Sequence, residues 1–179
     1  SVYEETSPHY DPAVLSLGIP VLGICYGAQL MAYMAGGSVK SANEFGEYGN
    51  ALLRVTENVL FQGVPEESIC FMSHRDSIFE VPEGFQAIAS TDKCPVAAMC
   101  DESRKLYAVQ FHPEVEHTEY GISVLENFLF SVCGCTGDWL MDDFIERSVE
   151  KYKAELAGKK VLLALSGGVD SSVTAALLS

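Results

Sequence analysis

Short apolar runs separated by polar turns fill the first 110 residues. The stretch from residue 13 to residue 39 carries no charge, and glycines divide it. "PVLGI" reads as a short buried strand, and "AQLMAYMAGG" as a helix from about Ala28 that stops at two glycines. Polar, turn-rich "SVYEETSPHYDP" before them and "SANEFGEYGN" after them read as loops. Then "ALLRV", "ICFM", "SIFEV", "QAIAS", "VAAMC" and "LYAVQF" alternate with turns such as Val81-Pro82-Glu83-Gly84. "QFHPEVEHTEYG" breaks this pattern. A helix follows, with Ile122, Leu125, Phe128, Leu129 and Val132 at helical spacing.

Composition shifts near "CGCTGD". Thr136 or Asp138 is placed to cap a longer helix, "WLMDDFIERSVEKYKAEL". Its Leu140, Phe144, Ile145, Val149, Tyr152 and Leu156 make one apolar face, and Gly158 ends it. "KKVLLALSGGVDSSVTAALLS" then predicts a buried strand at residues 161–165, a glycine turn and a helix from about Ser171. The pattern predicts an α/β protein with a mostly parallel, doubly wound sheet and an antiparallel flank over residues 1–135. Residues 136–179 supply a connecting helix and the first strand and helix of a second α/β domain.

Composition narrows the function. With 179 residues and 48% hydrophobic side chains, a sizeable core is available. The net charge is −14 and the basic residues are scattered. A nucleic-acid polymer, which needs a positive stripe, is not an expected partner. A small anion remains open, since backbone N–H groups bind phosphate without a basic surface. Residues 13–39 are long enough to cross a bilayer, but Pro20, Gln29 and the glycines favour strand and helix instead, so no membrane is expected. The six cysteines form no C-x-x-C pair, which argues against zinc; no metal site is assigned. Reduced thiols in a cytoplasmic enzyme are the expectation. An opening at Ser1 without methionine, and a close at Ser179 inside an apolar pattern, look like cut ends.

Cys25 stands between Gly23 and Gly27, two residues from each. A nucleophile elbow needs this: a strand, a sharp turn bearing the nucleophile, and a helix starting at once, with small neighbours where the backbone crowds itself. The helix N-terminus favours thiolate, and the Tyr26 N–H would point where an oxyanion forms. A buried core cysteine is the alternative for this segment alone. His112 and Glu114 flank Pro113, which disfavours helix at His112. In an extended chain the two side chains point the same way, so Glu114 can fix the imidazole tautomer while the other nitrogen meets a thiol. Alone, "HPE" also reads as a strand-ending turn with a surface acid.

"GICYGAQLMA" with "QFHPEVEHT" resembles the class I glutamine amidotransferase family, and "MSHRDS", "STDKCPVAAM" and "HPEVEHTEYG" resemble its GMP synthase branch. The resemblance implies that Cys25 attacks the side-chain amide of glutamine, that His112 shuttles the proton and that Glu114 orients it. It implies that Tyr26 serves the oxyanion, that Gln29 contacts substrate, and that Ser73 and His74 hold the glutamine backbone groups. Family members take a second oxyanion donor from a Gly-Gly-Pro loop preceding the segment that resembles "SVYEE". The loss of one such donor typically costs about two to three orders of magnitude in rate. "FGEYG" and Arg75 depart from the family pattern. The glutaminase half is expected to need no cofactor.

"LSGGVDSS" has neither the Walker A ending nor the dinucleotide spacing. Its physics is a strand ending at Ser166, a turn at Gly167 and Gly168, and a helix N-terminus, with hydroxyls of Ser166, Ser171 and Ser172 as donors. Asp170 suits a helix cap or a metal that joins the phosphates; a turn with no ligand is the plain alternative. The motif resembles the pyrophosphate loop of N-type ATP pyrophosphatases, which implies ATP at Ser166, Gly167, Gly168, Val169, Asp170, Ser171 and Ser172. By the same resemblance the intact enzyme uses ATP with Mg²⁺, aminates XMP to GMP with ammonia from the first domain, and forms a homodimer through its C-terminal region. Two other readings stand beside this one. One is an amidotransferase feeding another pathway, such as anthranilate, carbamoyl phosphate or CTP synthesis, from which the tail "SGGVDSS" is not expected. The other is a non-catalytic glutamine-binding module.

Overall fold

In the computed structural model, which describes residues 1–41, 46–138 and 141–178, contacts divide the chain into Ser1–Cys135 and Thr136–Ser179. The expected loop at residues 42–45 and the helix residues Trp139 and Leu140 lie outside the described residues.

The first unit opens with a loop and a single 3₁₀ turn, Pro12–Ser16, which the Asp11 side chain caps by accepting from the Ala13 N–H. Strand β1 (Val21–Ile24) runs into helix α1 (Tyr26–Met34). There follow β2 (Ser38–Ser41), β3 (Glu47–Val55), β4 (Glu67–His74), β5 (Asp76–Glu80), β6 (Gln86–Ser90), β7 (Ala98–Asp101) and β8 (Leu106–Val109). Helix α2 (Gly121–Glu126) continues as a π-helical turn, Asn127–Val132. The main sheet has the order β1-β8-β7-β6-β3-β4, and β2 pairs with β5 in a second, two-stranded sheet.

Alternation along β8 shows why the sheet sits where it does. Leu106 and Ala108 enter one buried cluster with Ala28, Met31 and Ala32 of α1. Tyr107 and Val109 enter another with Val124, Phe128 and Val132 of the α2 region. A strand buried on both faces reads as a continuous apolar run, as "LYAV" does. Helices therefore cover both faces, as an α/β fold requires.

The balance of strand directions differs from the expectation. Among the described strands of the main sheet, only β1 and β8 run parallel; every other neighbouring pair is antiparallel. The antiparallel flank is thus the larger part. Strands β6, β7 and β8 follow one another through short connections, whereas a parallel neighbour needs a crossover of a dozen residues or more. Two local readings also change. Residues 47–50, read as loop, begin β3 and pair with β4. The buried face after "HPE" is Gly121, Val124, Phe128 and Val132, while Ile122 and Leu129 are exposed. In the π turn the Cys133 N–H bonds the Phe128 carbonyl at 2.9 Å, and the buried face runs through it to Val132.

Among its described residues the second unit has two helices, α3 (Met141–Leu156) and α4 (Val169–Leu178). Residues 161–165 do not form the expected strand; Leu162 is 98% exposed. An apolar run becomes a strand only beside a partner that takes its hydrogen bonds, and no described strand pairs with it. Helix α4 starts at Val169, two residues before the expected position.

Candidate active site

The site begins with a backbone irregularity. Cys25 has φ 51° and ψ −106°, a region that non-glycine residues rarely enter. Such a conformation costs of order 1–3 kcal/mol and persists only where surroundings enforce it. Here they do. The Cys25 N–H continues the β1–β8 ladder by bonding the Val109 carbonyl at 2.8 Å, while its own carbonyl accepts from Ala28 and Gln29 N–H in the first turn of α1. The two glycines play unequal parts. A Cβ on Gly23 would stand 2.8 Å from the Gly27 carbonyl oxygen, so strand and helix meet here only through glycine. A Cβ on Gly27 meets nothing within 4 Å.

The sulfur lies 3.8 Å from the Ser73 carbonyl oxygen and 3.8 Å from Nε2 of Gln110. Burial pushes the Cys25 thiol up from its ordinary value, and the charge of Glu114 adds to this. The Tyr26 N–H and the Gln110 carboxamide act the other way, but burial is the largest effect. Burial therefore works against the thiolate that the helix N-terminus was expected to favour.

His112 lies three residues beyond Val109, past the end of β8, and its N–H bonds the Phe71 carbonyl of β4 at 3.1 Å. Its Nδ1 is 2.7 Å from Oε1 of Glu114. A carboxylate only accepts, so Nδ1 carries the proton and Nε2 is the basic nitrogen. The pair forms across a turn at Pro113 and Glu114 rather than along an extended strand. Thr118 fixes it from behind: its Oγ1 donates to the His112 carbonyl at 2.6 Å and accepts from Phe71 N–H at 3.0 Å.

Cys25, Tyr26, Gln29 and His74 line one cavity of about 210 Å³, together with Ser1, Arg75 and Asp76. Ser73 reaches the sulfur through its carbonyl, and its side chain is exposed. Gln29 is buried, with Nε2 donating to the Asp76 carbonyl at 2.7 Å and to Oε1 of Gln110 at 3.2 Å. His74 is buried too, with Nδ1 3.0 Å from the Asp76 carbonyl oxygen, and burial lowers its pKa below the ordinary histidine value. It forms part of the cavity wall.

Sequence reasoning passed over Gln110, Thr118, Asp76 and Glu47. Glu47 is buried, accepts from Thr91 Oγ1 at 2.8 Å and stands 3.9 Å from Nε2 of His74. Gln110 had a signal: it lies two residues before His112 in "QFHPE", the spacing at which neighbours share a side. The others are brought in by strand pairing between distant segments.

The glycine-rich loop lies in the second unit. Gly167 has φ +80°, the left-handed region that glycine reaches freely. Ser171 Oγ and Ser172 Oγ both turn back to the Gly168 carbonyl, at 3.1 and 2.9 Å, and Ser166 Oγ lies 3.2 Å from Ser171 Oγ. Val169 is exposed, and Asp170 lies in the first turn of α4.

Residues 1–132 match the family model described as glutamine amidotransferase class-I. The chain belongs to that family. As a class I glutamine amidotransferase, it is 55% identical over 180 residues to "GMP synthase [glutamine-hydrolyzing]" of Clostridium botulinum (strain Alaska E43 / Type E3), covering 100% of this chain and 35% of the relative. It is 52% identical over 178 residues to the protein of the same name from Staphylococcus carnosus (strain TM300), covering 99% and 34%. The chain thus spans about a third of the length of these curated relatives. Among solved structures, a putative GMP synthase subunit from Thermoplasma acidophilum superposes with a TM-score of 0.64 at 38% identity, covering 68% of this chain and 60% of that one. A glutamine amidotransferase from Thermotoga maritima gives 0.53 at 25% identity, covering 92% and 61%. Among the described residues of this amidotransferase, no helix is long and apolar enough to cross a membrane.

Proposed function

We propose that residues 1–135 hydrolyse glutamine to glutamate and ammonia, with Cys25 as nucleophile, His112 as general base and acid, and Glu114 as the orienting carboxylate. The observation that carries this is the strained Cys25 turn at the end of β1, beside the strand that leads into the 2.7 Å His112–Glu114 pair. The thiol proton passes to His112 Nε2 as sulfur attacks the amide carbon of glutamine. The oxyanion faces the Tyr26 N–H. Collapse expels the amide nitrogen, which takes the proton from His112 and leaves as ammonia. Water then attacks the thioester, giving its proton to His112, which returns it to sulfur as glutamate leaves. A raised resting thiol suits this sequence: the proton stays on sulfur until a base arrives with substrate in place.

The wider proposal follows the names of the relatives, which describe a glutamine-hydrolysing GMP synthase. In it the ammonia aminates XMP, with ATP and Mg²⁺ supplying the activation that turns the XMP oxygen into a leaving group. Ser166, Gly167, Gly168, Val169, Asp170, Ser171 and Ser172 would hold the ATP phosphates. The glycine turn and the N-terminus of α4 offer backbone N–H groups that suit an anion, while the Ser171 and Ser172 hydroxyls donate to the Gly168 carbonyl and would have to turn to join them. Six free cysteines agree with work in a reducing cytoplasm, and homodimerisation through the region that this resemblance implies belongs to the same proposal.

The test treats the chain with a glutamine-like chloroketone and maps adducts by mass spectrometry. Cys25 should label far faster than Cys70, Cys94, Cys100, Cys133 or Cys135, and glutamine should protect it. Uniform labelling, or labelling that glutamine leaves unchanged, would end the proposal.

A further inference from the structure

We propose that Gln110 is a positioning residue for the nucleophile: its carboxamide N–H holds the Cys25 sulfur while Gln29 locks its oxygen. The inference rests on Cys25 being the nucleophile.

The direction of each hydrogen bond follows from one fixed acceptor. The Asp76 carbonyl can only accept, so the Gln29 atom 2.7 Å from it is the amide nitrogen. That same nitrogen lies 3.2 Å from the Gln110 carboxamide, whose facing atom must then be oxygen. Gln110 is left with its NH₂ toward the sulfur, at 3.8 Å. A flipped Gln110 would set nitrogen against nitrogen, and a flipped Gln29 would set oxygen against the Asp76 carbonyl.

Gln110 has little freedom to do otherwise. It is fully buried, and its backbone N–H is bonded to the Ala97 carbonyl at 2.8 Å. An amide left unpaired in such a place is costly, so its partners are held. The chain of carboxamides thus runs from the Asp76 backbone through Gln29 and Gln110 to the sulfur, tying the start of β5, α1 and the end of β8 to one atom. The arrangement is also asymmetric in charge. In the thiol form the sulfur faces the Ser73 carbonyl as its acceptor. Once the proton leaves, that carbonyl repels the sulfur, and the N–H groups of Gln110 and Tyr26 remain to hold the negative charge.

The titratable and charged groups that share the cavity with the sulfur are the Ser1 α-ammonium from the opening segment and His74, Arg75 and Asp76 from β4, β5 and the turn between them, while the charge of Glu114, paired with His112, acts from the segment after β8. Helix α1 offers only the Tyr26 N–H and Gln29. Glu114 opposes the thiolate, so neutral donors carry its local support.

The experiment follows the pH dependence of Cys25 alkylation by iodoacetamide in the full 179-residue chain, beside thermal melts. Gln110→Met keeps the length of the side chain and removes its donors; Gln110→Glu puts an acceptor in their place. The inflection should move up by about one pH unit in Gln110→Met, a tenfold loss of thiolate at a fixed lower pH, and further in Gln110→Glu. Glutamine turnover should lose kcat more than KM. A folded Gln110→Met whose inflection stays with the parent overturns the proposal. If that variant does not fold, Gln29→Met releases the Gln110 oxygen and should move the inflection in the same direction; an unmoved inflection again overturns it. Iodoacetamide reads the sulfur without reference to glutamine. A chain that fails the chloroketone test yet shows these shifts refutes the glutaminase reading and leaves only the hold of the Gln110 carboxamide on the Cys25 sulfur.

Discussion

Replacing Gly121 with alanine places a methyl group against the Pro113–Glu114 peptide, one of the two peptide units that join the members of the His112–Glu114 pair. Gly121 is buried at the start of α2, and its N–H bonds the Thr118 carbonyl at 3.2 Å. A Cβ there would fall on the Pro113 carbonyl oxygen, 2.8 Å from the carbonyl carbon and 3.1 Å from Cα. Every one of these atoms is backbone, so no flexible side chain can yield. Pro113 or the start of α2 must retreat by about 1 Å, a displacement of the size that costs roughly 10²-fold in rate when it reaches a reacting group. The overpacking itself costs about 1–3 kcal/mol, or roughly 3–12 °C in Tm for a domain of this size. The assay pairs thermal melts with glutamine hydrolysis well below the melting range. Val124→Ala is the control: Val124 is buried in the core on the same helix, and its truncation lowers stability without pushing on Pro113. Gly121→Ala should lose far more activity than Val124→Ala at matched stability. Equal losses, or a Gly121→Ala chain that melts with the parent, would refute the reasoning.

Three further outcomes follow. Gly23→Ala should destabilise by about 1–3 kcal/mol through backbone overlap with Gly27, whereas Gly27→Ala, in open space within α1, should gain up to about 1 kcal/mol; chemical denaturation separates the two. Glu114→Gln should lower glutamine turnover about 10²-fold or more by releasing the imidazole tautomer, with little change in melting, since Glu114 is 49% exposed. Burial holds the Cys70 and Cys94 thiols up to about 12, above their unfolded range, so the folded chain keeps protons that the unfolded chain loses. That stability is fully present below the unfolded thiol pKa and falls by about 1.4 kcal/mol per thiol for each pH unit above it. Melting between about pH 8 and pH 10 should fall steeply, and Cys94→Ala should make the fall shallower.

What the sequence made legible was local. The strand, the Cys25 turn and the helix after it are written within some fifteen residues, and the His112–Glu114 spacing is written within three. The thiol pKa was not legible, because it depends on burial by segments far along the chain. Gly27 was read as the twin of Gly23 because spacing shows small residues but not which of them meets a neighbour. Residues 161–165 have the composition of a buried strand, yet a strand is a pairing, and a pattern of side chains does not carry its partner. Ile122 and Leu129 share a helical spacing with Val132, yet both are exposed, because spacing marks the stripes of a helix and does not say which stripe meets the core.

The segment after β8 also alters the fate of β4, the last strand in the sheet order. On its outer side, Ile69 exchanges bonds with Glu119, Phe71 with His112 and Thr118, and the Ser73 carbonyl meets Cys25. Those peptide groups would otherwise offer a template for another chain to dock edge to edge. The stretch that bears the imidazole is therefore also a sheath, and a mutation that frees it exposes an adhesive border together with a damaged catalyst. Aggregation and inactivity in such variants would share one origin.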